Sequence, residues 1–158
     1  MKVAQKDMRT NKNSYAIEPK GASHVMKLHH IGIASENLET AIQHHKMLFE
    51  VHPITDIVED PVHKVSAVLL SGPDGGVPIE LVAPLAKDSP VSRLMKRGIR
   101  LYHLCYLAKD IEKTLEEARR QSSLVISKPA PARLYGGRRI AFVYTADGYV
   151  VEFLEEEK

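Results

Sequence analysis

The chain has 158 residues, enough for one domain of ordinary size or two small fused modules. Hydrophobic residues make up 44% and charged residues 27%, which excludes disorder over most of the chain; the single cysteine, Cys105, excludes an intramolecular disulfide scaffold or a Cys-rich zinc module. With 22 basic against 20 acidic residues, the net charge of +2 is too balanced to point to nucleic acid or an anionic membrane, and no apolar run approaches the ~18 residues of a membrane span.

Residues 1–25 show no hydrophobic period and no apolar core of a signal peptide. They read as a disordered extension, native or left by cloning, ahead of a single domain at 26–158. Without an export signal, the cytoplasm is the expected location. Strong patterning begins at Leu28, with a short strand through Ala34. Asn37 is a good helix N-cap, and the helix after it is expected to set Leu38, Ala41, Ile42, Leu48 and Phe49 on one apolar face. Three strands follow at about His52–Val58, Lys64–Ser71 and Val77–Val82, the last two joined by a hairpin at Asp74-Gly75. Lys87–Ile99 reads as a linker. The pattern then restarts: a strand from Leu101, an N-cap at Asp110, and a helix carrying Ile111, Leu115 and Ala118. Strands at about Leu124–Ser127, Arg139–Thr145 and Tyr149–Leu154 complete it, with a hairpin at Asp147-Gly148.

The restart is an internal repeat. His30 and His103 are 73 residues apart, and the same offset carries Asn37-Leu38-Glu39 onto Asp110-Ile111-Glu112 and Asp74-Gly75 onto Asp147-Gly148. Val77–Leu81 matches Tyr149–Phe153 at an offset of 72. The chain is therefore read as an α+β fold of two βαβββ modules, 27–86 and 100–156. Their mixed sheets are expected to curl together into a cup, with helices outside and polar residues inside.

The repeat places a histidine on each first strand and a glutamate on each last strand. If a pseudo-two-fold axis relates the modules, His30, Glu80, His103 and Glu152 converge near it. A carboxylate in a run such as Pro78-Ile79-Glu80-Leu81-Val82 is unusual, because a buried charge needs a partner. Two imidazoles and two carboxylates suit a divalent first-row metal: zinc, cobalt, nickel, manganese or iron. Four protein ligands in an octahedral site would leave two positions open for water or substrate, an arrangement that suits catalysis. Of the other histidines, His29 alternates to the opposite strand face, His44 and His45 lie on a solvated helix surface, and His63 lies in a loop that could form the mouth of the site. Cys105 shares a strand face with His103 and reads as a small apolar residue of the pocket.

The stretches HHIGIASENLETAI, IELVAPLAKDSPVSRLMKRG, YHLCYLAKDIEKTLEEAR and VVEFLEE resemble the vicinal oxygen chelate superfamily, and within it the methylmalonyl-CoA epimerase family. The resemblance covers about 28–155. It implies a glyoxalase-like fold, a homodimer, and metal ligands at His30, Glu80, His103 and Glu152, the four that the repeat selects. It also implies proton transfer next to the carbonyl of an acyl-CoA thioester. Glu152 would be one base, and Glu59 or Asp60 its partner. Arg138, Arg139, Lys96 and Arg97 are candidates to neutralise the phosphates of such a substrate. The register puts Val62 where the epimerases have their second catalytic glutamate, with Glu59 and Asp60 two or three residues early. Two other readings remain open at this level. One is a glyoxalase-type lyase or another metal-dependent reaction on the same cup; the other is a resistance-type protein that binds a small molecule without catalysis.

Overall fold

The computed structural model describes residues 26–157; the extension expected at 1–25 lies outside the described residues. The first strand, β1 (Leu28–Ala34), is followed by α1 (Leu38–Phe49). Three more segments, β2 (His52–Pro53), β3 (Val58–Asp60) and β4 (Val65–Gly72), lead to β5 (Gly75–Pro84). After α2 (Pro90–Lys96) the order returns with β6 (Leu101–Ala108) and α3 (Ile111–Arg120). Two short strands, β7 (Leu124–Val125) and β8 (Ala130–Pro131), precede a 3-10 turn at Arg133–Tyr135, and β9 (Arg139–Tyr144) and β10 (Val150–Glu155) end the fold. Among the described residues no helix is long and apolar enough to cross a membrane.

Both main helices start on side-chain caps. Asn37 accepts from the Thr40 N–H at 2.8 Å and Asp110 from the Lys113 N–H at 3.0 Å. Both hairpins turn at the expected residues, where Gly75 (φ 76°) and Gly148 (φ 90°) take the left-handed conformation that glycine tolerates.

The two modules form one ten-stranded sheet of order β2-β4-β5-β1-β6-β10-β9-β7, with β3 on β4 and β8 on β9. The seam is the antiparallel pair β1–β6; on either side, β1–β5 and β6–β10 run parallel. Alternation sorts the two faces. On one, Leu38 and Ile42 of α1 pack with Val68, Leu70, Leu81 and Ala83, and Ile111 and Leu115 of α3 pack with Ala141, Val143, Val151 and Phe153. The other face carries Leu69, Cys105, Ile140 and Leu154, with Ala132 and Tyr135 from the 3-10 region laid over them.

Four local expectations change. Leu48 and Phe49 lie outside the core, 72% and 59% exposed, and α1 buries only Leu38 and Ile42. The strand expected at His52–Val58 is two short pieces separated by Ile54–Ile57. The Lys87–Ile99 linker contains α2, which starts at Pro90 and drives Val91 fully into the core. The strand expected at Leu124–Ser127 is regular only over Leu124–Val125, and the chain then pairs again briefly at β8 before the 3-10 turn.

Candidate metal centre

Two rows of residues cross the sheet beside the seam. In one, Glu80 on β5 pairs with Gly32 on β1, which pairs with His103 on β6. In the other, His30 on β1 pairs with Cys105 on β6, which pairs with Glu152 on β10. Register partners share a face, and so do residues two apart on one strand. All four His and Glu side chains therefore stand on the face opposite the helices. Gly32 and Cys105 occupy equivalent positions of the repeat, so each row is a carboxylate, a small residue and an imidazole. The middle position must be small. A Cβ on Gly32 would sit 2.3 Å from His103 Cε1, far inside van der Waals contact.

The convergence is tight. His30 Nε2 lies 2.9 Å from His103 Nε2. Glu152 Oε2 is 3.0 Å from both nitrogens, and Glu80 Oε2 is 3.4 Å and 3.3 Å from them. All four residues are buried. Ligand bonds of ~2.1 Å set 90° apart place their donor atoms ~3.0 Å apart, and at the tetrahedral angle ~3.4 Å. The observed separations, 2.9–3.4 Å, lie in or within 0.1 Å of that interval. Glu152 Oε2 accepts a directed hydrogen bond from neither imidazole and is a buried oxygen without a hydrogen-bond partner among the described residues. Lone pairs aimed at one another's neighbourhood, instead of along N–H bonds, are what a shared cation would resolve. The donor set fits a divalent first-row metal.

The electrostatics of the cation-free cluster agree. Burial alone would keep both imidazoles neutral, but Glu152 and Glu80 outweigh it, raising His30 and taking His103 to about 9. Burial likewise pushes the two carboxyls up, and the imidazoles outweigh it to hold both well below the usual range. A proton on His103 thus offsets part of the carboxylate charge, and a cation at the same centre would take its place.

Tyr135 completes the site and had no signal in the repeat, since it comes from the irregular segment of the second module. Its Oη donates to Glu80 Oε1 at 2.9 Å and its ring stacks on His30, 15° from parallel. Burial raises its pKa well above the ordinary phenol value, so it remains a donor. His29 also departs from expectation. The β1–β6 register shifts between Leu28 and His30, and the extra residue turns toward the site instead of away. His29 Nδ1 lies 2.8 Å from His30 Nδ1. Burial, then the charge on His30, lowers His29 to about 4, so it is neutral at pH 7 and can accept from His30. Cys105 is fully buried within the row and outside the cavity walls.

A cavity of about 340 Å³ opens over the cluster, with Glu80, His103 and Glu152 in its floor and Val65, Val82, Leu134 and Ile140 among its apolar walls. Asp60 and His63 also bound it. Glu59 does not: its side chain is exposed on the other side of β3. Arg138 is engaged by the Glu155 carbonyl, and Arg139 by the Glu155 and Glu112 carboxylates. Neither these nor Lys96 and Arg97 reach the cavity, whose cations are Lys64 and Arg93.

The sequence pattern of the family described as Glyoxalase/Bleomycin resistance protein/Dioxygenase superfamily matches residues 29–142. The chain is 25% identical to the mitochondrial methylmalonyl-CoA epimerase of Bos taurus over 130 residues, 80% of this chain and 72% of that protein. Among solved structures, methylmalonyl-CoA epimerase from Mycobacterium tuberculosis aligns with a TM-score of 0.71 at 25% identity, over 83% of this chain and 88% of that one. A variant of the Streptomyces coelicolor enzyme in complex with 2-nitronate-propionyl-CoA also aligns at 0.71, with 22% identity, over 85% of this chain and all of the other.

Proposed function

Because this chain belongs to the glyoxalase/bleomycin resistance protein/dioxygenase superfamily, the vicinal oxygen chelate superfamily, we propose that it is a metal-dependent epimerase. It would move a proton on the carbon next to a carbonyl, with a methylmalonyl-CoA-like acyl thioester as substrate. The observation that carries the reading is the buried convergence of His30, Glu80, His103 and Glu152, three of which form the floor of a cavity. Epimerase relatives over most of the chain support the reaction type, and neighbours that bind acyl-CoA analogues support the substrate class.

His30, Glu80, His103 and Glu152 would hold a zinc, cobalt, nickel or manganese ion. When bound, it supplies Lewis-acid stabilisation for the negative charge that develops on a carbonyl oxygen. The chain supplies the rest. Tyr135 fixes one Glu80 oxygen, leaving the other directed at the common centre. Val65, Val82, Leu134 and Ile140 exclude water from the acyl group, which strengthens every electrostatic interaction beside it. A cavity of about 340 Å³ accommodates the acyl end of the substrate, so the nucleotide end would extend past Lys64 and Arg93 at the wall. Glu152 borders the cavity and is one proton carrier of the reading. Its remaining parts are a homodimer, for which Met47, Leu48 and Phe49 offer an exposed apolar surface, and action in the cytoplasm.

Elemental analysis of the purified protein beside His30→Ala and Glu152→Ala tests the site. About one divalent ion per chain, lost in both variants, is the expected result. Deuterium incorporation at the α-carbon of methylmalonyl-CoA in D2O tests the reaction. A native protein that takes up no metal after dialysis against zinc or cobalt sinks the reading.

A further inference from the structure

Asp60 and His63 bound the same cavity as the cluster, at the end of β3. Asp60 is buried, and its carboxylate is saturated by backbone donors. Oδ1 accepts from the Val62 and His63 N–H groups at 3.0 Å and 3.2 Å, and Oδ2 accepts from the Arg133 N–H at 2.9 Å. A carboxylate held in this way is a poor base, since each of those donors favours its ionised form. Its remaining contact is the His63 ring, whose Nδ1 is buried and 3.1 Å from Oδ2. The line of approach is off the ring N–H, and a small rotation aligns it; such bonds often tighten only when substrate is bound. With Nδ1 beside Asp60, Nε2 is the nitrogen left for a ligand in the cavity that His63 borders.

Most of the other ionisable groups of the wall are otherwise engaged, and Arg93 and Tyr102, a cation and a phenol held protonated by burial, are not bases. Glu80, His103 and Glu152 face a common centre, Tyr135 donates to Glu80, and Lys64 pairs with Asp88. An imidazole with one nitrogen on a fixed carboxylate and the other on a substrate cavity is the arrangement of a general base and its orienting acid.

We propose that His63 is a catalytic proton carrier of this site and that Asp60 is its positioning residue. The proposal rests on the epimerase reading and adds the group that serves one face of the substrate. In the step, His63 Nε2 takes the α-proton, the Cα–H bond breaks, and its electron pair delocalises onto the thioester oxygen as an enolate. The imidazolium returns the proton, or a deuteron gained from solvent, to the same face. Inversion follows when the opposite face instead takes a proton from solvent water, and the imidazolium gives its own proton to the hydroxide that is left.

The test uses metal-loaded wild type, His63→Gln and Asp60→Asn with each methylmalonyl-CoA epimer in D2O. We expect His63→Gln to keep its metal and its fold and to invert ~10²–10⁴-fold more slowly. It should place deuterium in one epimer only, without inversion, and added imidazole should restore turnover to His63→Ala. Nitrogen-15 NMR of labelled histidine gives a substrate-free readout: wild-type His63 should carry its proton on Nδ1, and Asp60→Asn should release that preference. Wild-type rates in His63→Gln, or a wild-type His63 protonated on Nε2, overturn the proposal while leaving the epimerase reading intact. A wild type that exchanges no deuterium overturns both.

Discussion

Gly32 is what allows His103 to reach the centre, because the imidazole occupies the space a side chain would fill. A methyl group there must push the ring aside or bend β1 against β6. We expect Gly32→Ala to remain folded, to lose roughly 1–3 kcal/mol through overpacking, and to bind metal ~10–100-fold more weakly, as when the support of a ligand is disturbed. Metal titration beside thermal melts checks both. Tyr135→Phe isolates a smaller effect. It keeps the ring stack on His30 and removes the hydroxyl, with its bond to Glu80 Oε1 and its longer contacts to the His30 ring nitrogens, so stability should fall by about 1 kcal/mol while metal affinity drops several-fold, measured by the same titration. The two residues differ in how they could be read. Gly32 stands inside the apolar run HHIGIA, where a glycine can mark a close approach, but nothing in that run says which side chain comes near. Tyr135 sits in Arg133–Tyr135, and its neighbour Arg133 is tied by its N–H to Asp60, a contact 73 residues away in sequence that no local pattern announces.

The helices act as two fixed plates behind the site, and their sequence periods are unequal guides. Ile111 of α3 is fully buried against Ala141, Val151 and Phe153, whereas Leu48 of α1 is 72% exposed. Ile111→Ala should cost ~2–5 kcal/mol, and Leu48→Ala should stay within about 0.5 kcal/mol; urea midpoints separate them. Periodicity finds an apolar stripe but cannot tell how much of it the rest of the fold covers, which is why Leu48 and Phe49 join the stripe in sequence and lie exposed in the fold. The strands that carry ligands were legible for a different reason. They repeat at a fixed offset, and alternation then assigns faces, so the sharing of one face by His30 and His103 follows from the sequence. The short strands β2, β7 and β8 have two residues each and offer too few positions for any period to show. The bulge at His29 depends on how β1 meets β6, which is a property of the pair and not of either strand.

For the whole molecule, the buried cluster makes stability depend on what neutralises it. In the metal-free protein that role falls to protons. The raised value of His103, about 9, means its contribution is fully present below the ordinary imidazole value of about 6.5 and is lost as pH climbs through 9. Melting of the chelator-treated protein should therefore fall between pH 6.5 and 9, and melting of the metal-loaded protein should not. At pH 7, chelation should lower the midpoint by roughly 5–10 °C, since an ion at a hundred times its Kd contributes ~2.7 kcal/mol. Differential scanning across that pH range, with and without zinc, checks both. The two rows beside the seam carry one more implication. Each takes its glutamate from one half of the chain and its histidine from the other. A half that folded correctly but joined in the wrong register would present only a fragment of the donor set. Occupancy by an ion would thus report on the joint itself: the full donor set exists only once the two halves have been assembled correctly, a built-in form of proofreading.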